Sequence, residues 1–141
     1  MTATSRPVVV VYCDGGARGN PGPAAIGAVV LDPATEPPTT LATVSRRIGE
    51  TTNNVAEYEA LIAGLEAAHS FPSREIRVRA DSLLVVKQVQ GEWKVKQPHL
   101  RPLCDRARQL LAPYEVVDLD HVPREQNTDA DLLVNAALDA P

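Results

Sequence analysis

The chain has 141 residues, 44% of them hydrophobic and 23% charged, the size and make-up of one globular domain with no room for a second. A formal net charge of −4 and a pI near 5.3 exclude a protein that coats nucleic acid by bulk positive charge. They leave room for a nucleic-acid enzyme whose positive charge arrives as metal ions. No apolar stretch approaches the roughly 20 residues of a membrane span, and Met1 to Pro7 holds no signal-peptide core, so a soluble, cytoplasmic protein is expected.

Val8 to Tyr12 is a β-branched run after Pro7 that predicts a buried strand, ended by Asp14-Gly15-Gly16 and a loop through Pro23. A second strand is predicted over Ala25–Leu31, closed by Asp32-Pro33 and Pro37-Pro38, and a third over Thr39–Ile48. Such short connections make an antiparallel meander. From Val55 to His69, Val55, Tyr58, Ile62 and Leu65 recur at helical spacing behind the capping residues Thr51, Thr52 and Asn53. Glu75–Ala80 alternates as a strand, and Asp81-Ser82 opens a helix through Gln90. A helix over Pro98–Leu111, a strand over Tyr114–Val122 and a helix over Thr128–Leu138 complete the order β-β-β-α-β-α-α-β-α. This is an α/β domain with a mixed five-stranded sheet, three antiparallel strands followed by two parallel ones, flanked by helices. Cys13 and Cys104 have no metal-knuckle or redox spacing and read as reduced structural thiols.

Asp14 and Asp81 follow two strands expected to lie parallel and adjacent, where open α/β sheets place their sites. Glu57 sits near the start of the long helix and Asp131 at the start of the last one. Each acid alone is an ordinary turn or cap residue; four at four element junctions on one sheet edge are not. Without a cation they would repel, whereas Mg²⁺ or Mn²⁺ takes carboxylate oxygens and keeps open positions. Gly16, Gly19 and Gly22 fit neither dinucleotide nor P-loop spacing, which leaves a turn whose backbone admits close approach.

The blocks Asp14-Gly15-Gly16-Ala17-Arg18-Gly19-Asn20-Pro21-Gly22-Pro23, Thr52-Asn53-Asn54-Val55-Ala56-Glu57, Asp81-Ser82 and Asn127 with Asp131 together resemble a type 1 ribonuclease H. The resemblance implies a ribonuclease H fold and Mg²⁺-dependent hydrolysis of the RNA strand of RNA/DNA hybrids, giving 5′-phosphate and 3′-hydroxyl ends. By similarity Asp14, Glu57, Asp81 and Asp131 are the catalytic acids and hold two Mg²⁺ ions, replaceable by Mn²⁺, with Asp14 bridging both. Gly15, Gly16, Asn20 and Asn53 fall where relatives touch the RNA minor groove, where 2′-hydroxyls are displayed. Thr52, Asn53 and Asn54 match the stretch that holds the DNA backbone, although Val55 replaces a basic residue found there in many relatives.

Between Gly91 and Pro98 the chain offers only Glu92 to Gln97, so it resembles a form without the basic handle, and Arg18, Lys94 and Lys96 are left to neutralise phosphates. Trp93 there either stacks on sugar or base or, as is more common for a lone tryptophan beside an apolar helix, is a core or rim residue. His121, ten residues before Asp131, and Arg124, after Pro123, compete for the assisting role near the scissile phosphate, with Arg124 favoured. A DNA-cutting relative such as a resolvase is disfavoured by Asn53-Asn54-x-x-Glu57, and an inactive hybrid-binding module by the retention of four acids. The resemblance implies that residues 1–141 are one ribonuclease H domain, either complete or N-terminal to a phosphatase-like domain, with a monomer as the default expectation.

Overall fold

Alternation of side chains along the strands decides which face of the sheet the helices cover. The computed structural model describes residues 6–141, so the reading of Met1 to Ser5 lies outside the described residues. The strands are β1 (Arg6–Ala17), β2 (Gly22–Asp32), β3 (Thr39–Thr51), β4 (Ser73–Ala80) and β5 (Val116–His121). They form one sheet in the order β3-β2-β1-β4-β5, antiparallel across β1–β3 and parallel from β1 to β4 and β4 to β5. The helices are α1 (Asn53–Ala68), α2 (Leu83–Gln90), α3 (Arg101–Leu111) and α4 (Thr128–Asp139), with 3-10 turns at Pro98–Leu100 and Arg124–Gln126. Order and topology agree with the sequence reading.

Val9, Val11 and Cys13 of β1, Ile26, Ala28 and Val30 of β2, and Ile76, Val78 and Ala80 of β4 point to one side. There they bury Tyr58, Leu61 and Leu65 of α1, Val85 and Val86 of α2 and Ala107 of α3. On the other side α4 packs Val134 and Ala137 on Ala25. Gly27 admits α4, because a Cβ there would lie 2.4 Å from the Ala130 carbonyl oxygen. Among the described residues no helix is long and apolar enough to cross a membrane. Cys13 and Cys104 are buried and free.

The end of β1 differs from expectation. The strand runs on to Ala17, because β2 stays paired with it from Asp14↔Gly27 to Ala17↔Ala24. Its parallel partner β4 stops at Cys13↔Ala80. Asp14 is therefore an interior strand residue standing where β1 outruns β4. The loop shrinks to Arg18–Pro21, closed by Arg18 N–H donating to the Pro23 carbonyl at 2.8 Å. The positive φ is at Gly19 (+96°) and not at Gly15 or Gly16, which remain extended. β5 is also shorter than the predicted Tyr114–Val122.

Candidate active site

The two central acids are adjacent because of strand register: Asp14 is one residue past the last β1–β4 pair and Asp81 directly follows β4. Glu57 arrives from α1, which approaches β1 closely because Gly15 carries no side chain; a Cβ at Gly15 would lie 2.1 Å from the Ala56 carbonyl oxygen. Asp131 comes from the first turn of α4, whose start is anchored by Asn127. The Asn127 Nδ2 donates to the Cys13 carbonyl at 2.8 Å, and Asp131 N–H donates to the Asn127 carbonyl at 3.1 Å. All four acids line one open cleft of about 520 Å³ together with Gly15, Gly16, Arg18, Asn53, Asn54 and Arg124.

Charge is unbalanced in this cleft. Asp14, only 8% exposed, has its carboxyl pushed up to about 8, first by burial, then by the charge of Asp81 and by contact with Asp81 and Asp131. Burial also raises Glu57, and Asp81 adds to the rise while the Ser82 hydroxyl opposes it. Burial above all pushes the Cys13 thiol up, with Asp14, Asp81 and Glu57 adding to it, so this thiol is held protonated.

This donor set fits hard divalent cations: carboxylate oxygens, with surplus negative charge for a cation to relieve. Among the described residues no group of three or more His, Cys, Asp and Glu stands at metal-ligand spacing. The acids form a wall rather than a closed cage, and Mg²⁺ commonly keeps several waters and binds through one or two carboxylates.

The other sequence candidates divide. The Asn53 Oδ1 accepts from Ala17 N–H at 2.8 Å, and Asn53 N–H donates to the Asn20 Oδ1 at 3.1 Å, tying the start of α1 to the end of β1. Thr52 caps α1 by accepting from Val55 N–H. Asn20 and Thr52 thus serve local structure outside the cleft lining, whereas Gly15, Gly16, Asn53 and Asn54 line it. Arg124 also lines it, with Nη2 3.6 Å from the Asp131 Oδ1. His121 lies at the end of β5 opposite Ala80, is exposed, and does not line the cleft.

Asn127 and Ser82, read in the sequence only as parts of motif blocks, and Asn135, not singled out there, also bear on the site. The four-residue step from Asp131 to Asn135 on one helix was a usable signal. Nothing local shows that Asn127 reaches Cys13. Asn127→Ala is expected to leave the Cys13 carbonyl buried without this donor, costing about 1–3 kcal/mol. Urea melts should show that loss, and activity should fall with it because Asp14 and Asp131 lose their common anchor.

A family model described as reverse transcriptase-like matches residues 12–137. The chain is 48% identical over 132 residues to the bifunctional protein Rv2228c of Mycobacterium tuberculosis, covering 94% of this chain and 36% of that protein. The structure of the N-terminal RNase H domain of Rv2228c superposes with a TM-score of 0.88 at 48% identity, covering 94% of this chain and 99% of that one. RNase H1 of Halobacterium salinarum follows with a TM-score of 0.87 at 46% identity, covering 95% and 99%.

The chain belongs to the type 1 ribonuclease H family. A further ribonuclease H structure, LC11-RNase H1 in complex with an RNA/DNA hybrid, has a TM-score of 0.84 at 46% identity and covers 93% of this chain and 96% of that one. This ribonuclease H domain spans about a third of the length of Rv2228c, 36%, and 64% of the Halobacterium ribonuclease HI.

Proposed function

We propose that this cleft hydrolyses the RNA strand of RNA/DNA hybrids, leaving 5′-phosphate and 3′-hydroxyl ends, with two divalent cations, Mg²⁺ or Mn²⁺, held by Asp14, Glu57, Asp81 and Asp131. The convergence of those four carboxylates in one cleft carries the reading. The hybrid bound by LC11-RNase H1, 46% identical to this chain, supports the substrate. Bound cations would supply an activated water and neutralise charge at the leaving 3′ oxygen.

The chain's own residues account for strand choice. Gly16 has no atom within 4 Å of where a Cβ would lie, so this wall admits a nucleic-acid backbone and minor groove. Asn53 uses its Oδ1 on Ala17 and keeps an amide Nδ2 to donate to a 2′-hydroxyl, which DNA lacks; Glu57 meets the same hydroxyl as acceptor. Gly15 and Asn20 shape that side, while Thr52 orients Asn53 and Asn54 toward the DNA backbone. Asn54 also borders a neighbouring groove of about 550 Å³ lined by Trp93, Lys94 and Lys96. Trp93 is 44% exposed there, a rim residue available to stack on the DNA strand.

Arg124 supports the developing charge at the scissile phosphate as a permanent cation. Arg124→Ala is expected to lower kcat about tenfold, roughly 1.4 kcal/mol in the barrier, and His121→Ala to have a smaller effect. Steady-state cleavage of one hybrid by both variants checks the ranking; the reverse order would return the role to His121. The protein is read as a cytoplasmic monomer, and the greater length of Rv2228c supports a further C-terminal domain in the natural protein. Product-end analysis tests the reaction. Attack by water leaves ligatable 3′-hydroxyls and phosphatase-sensitive 5′-phosphates, whereas 2′,3′-cyclic phosphates would mean attack by the RNA's own 2′-hydroxyl and overturn the proposal.

A further inference from the structure

We infer that Arg18 binds a substrate phosphate a few nucleotides from the one being cleaved, and that Asp139 is a latch holding Arg18 on α4 until substrate arrives. The inference rests on the hybrid-cleaving reading. Arg18 and Arg124 are the two basic residues lining the acidic cleft. Neither is free: Arg124 lies against Asp131 at 3.6 Å, and Arg18 places Nη1 2.6 Å from the Asp139 Oδ1 and Nη2 3.5 Å from the Asn135 Oδ1. Asp131, Asn135 and Asp139 recur every four residues of α4, one above another on a single helix face. The Asn135 Nδ2 in turn donates to the Asp131 backbone carbonyl at 3.2 Å. The face that supplies one proposed metal ligand therefore also holds the cleft's second cation.

The backbone of Arg18 is fixed and its side chain is not. Its N–H donates to the Pro23 carbonyl at 2.8 Å, and its own carbonyl lies 2.2 Å from where a Cβ at Gly22 would be, so the loop closes tightly around it. By contrast the Arg18 and Asp139 side chains are 51% and 65% exposed, and an exposed pair of this kind is weakly held. A phosphate offers the same planar fork of donors two acceptor oxygens in exchange. Eight residues of helix separate Asp131 from Asp139, about 12 Å, which exceeds the roughly 3.4 Å rise of one nucleotide. Arg18 therefore meets a phosphate a few nucleotides from the scissile one and contributes to binding rather than to the chemical step.

Fluorescence anisotropy with a labelled RNA/DNA hybrid in EDTA, across a salt series, tests this on the wild type, Arg18→Ala, Arg18→Lys, Asp139→Asn and the double variant. Arg18→Ala should weaken binding by about three- to tenfold and lower the slope of log K against log salt by about one ion, while Arg18→Lys keeps the slope. Asp139→Asn should tighten binding, and that gain should vanish when Arg18 is already Ala. In cleavage assays Arg18→Ala should raise KM and leave kcat within about twofold. An unchanged slope for Arg18→Ala overturns the inference, as does an equal Asp139→Asn gain in both backgrounds, which would mean simple repulsion of phosphate by the Asp139 carboxylate. Wild-type protein that neither binds the hybrid nor, with Mg²⁺ present, cleaves it would instead overturn the functional reading, and the inference with it.

Discussion

Asp14→Asn is expected to abolish metal-dependent cleavage while leaving the melting temperature in metal-free buffer unchanged or higher. The amide keeps the shape of the carboxyl but brings no charge to balance a cation, so the chemistry is lost. Stability moves the other way because the folded protein holds this carboxyl among Asp81 and Asp131, at about 8, against about 3.9 in an unfolded chain. Between those values the folded state binds the proton and the unfolded state does not. Stability of the metal-free wild type therefore falls as pH rises from about 4 toward 8. Asparagine does not titrate, and its variant should lose that part of the slope. Thermal melts in EDTA from pH 5 to 8.5 check this, and added Mg²⁺ should raise the wild-type melting temperature more than that of the variant. Asp81→Asn is expected to abolish cleavage in the same way.

Two neighbouring glycines are expected to fail in opposite ways. In Gly15→Ala the new Cβ would lie 2.1 Å from the Ala56 carbonyl oxygen and 2.7 Å from the Glu57 nitrogen, both backbone atoms. Strand β1 and helix α1 must then separate, at a cost of about 1–3 kcal/mol or more, and Glu57 moves with the helix. Stability and kcat should both fall. Gly16→Ala meets nothing within 4 Å, so it should fold normally and raise KM by crowding the cleft. Urea melts paired with steady-state kinetics separate the two. A Gly15→Ala protein as stable and active as wild type would mean that close packing of α1 on β1 does not place Glu57.

The four acids were legible because each stands in a short pattern, and the predicted element order put all four at element junctions on one sheet edge. What was not legible depends on pairing. Gly15-Gly16 reads locally as the end of a strand, yet β2 continues to pair with β1 through Ala17, and only that pairing shows Asp14 to be a strand residue left uncovered by β4. Asn20 and Thr52 lie in the right motifs, but their nearest uses are local, one accepting from Asn53 and the other capping α1. Asn127 reaches across the sheet to Cys13, and Arg18 meets Asp139 from the far end of the chain; no periodicity or spacing reports contacts of that range.

The most direct measurement is gel analysis of matched RNA/DNA, DNA/DNA and RNA/RNA duplexes, each strand end-labelled in turn, with Mg²⁺, Mn²⁺ or EDTA. The four-acid cleft predicts internal cuts in the RNA strand of the hybrid with either metal, none in EDTA, and an intact DNA strand throughout. Cutting of the DNA strand, or undiminished RNA cleavage in EDTA or by the Asp14→Asn protein, would contradict it.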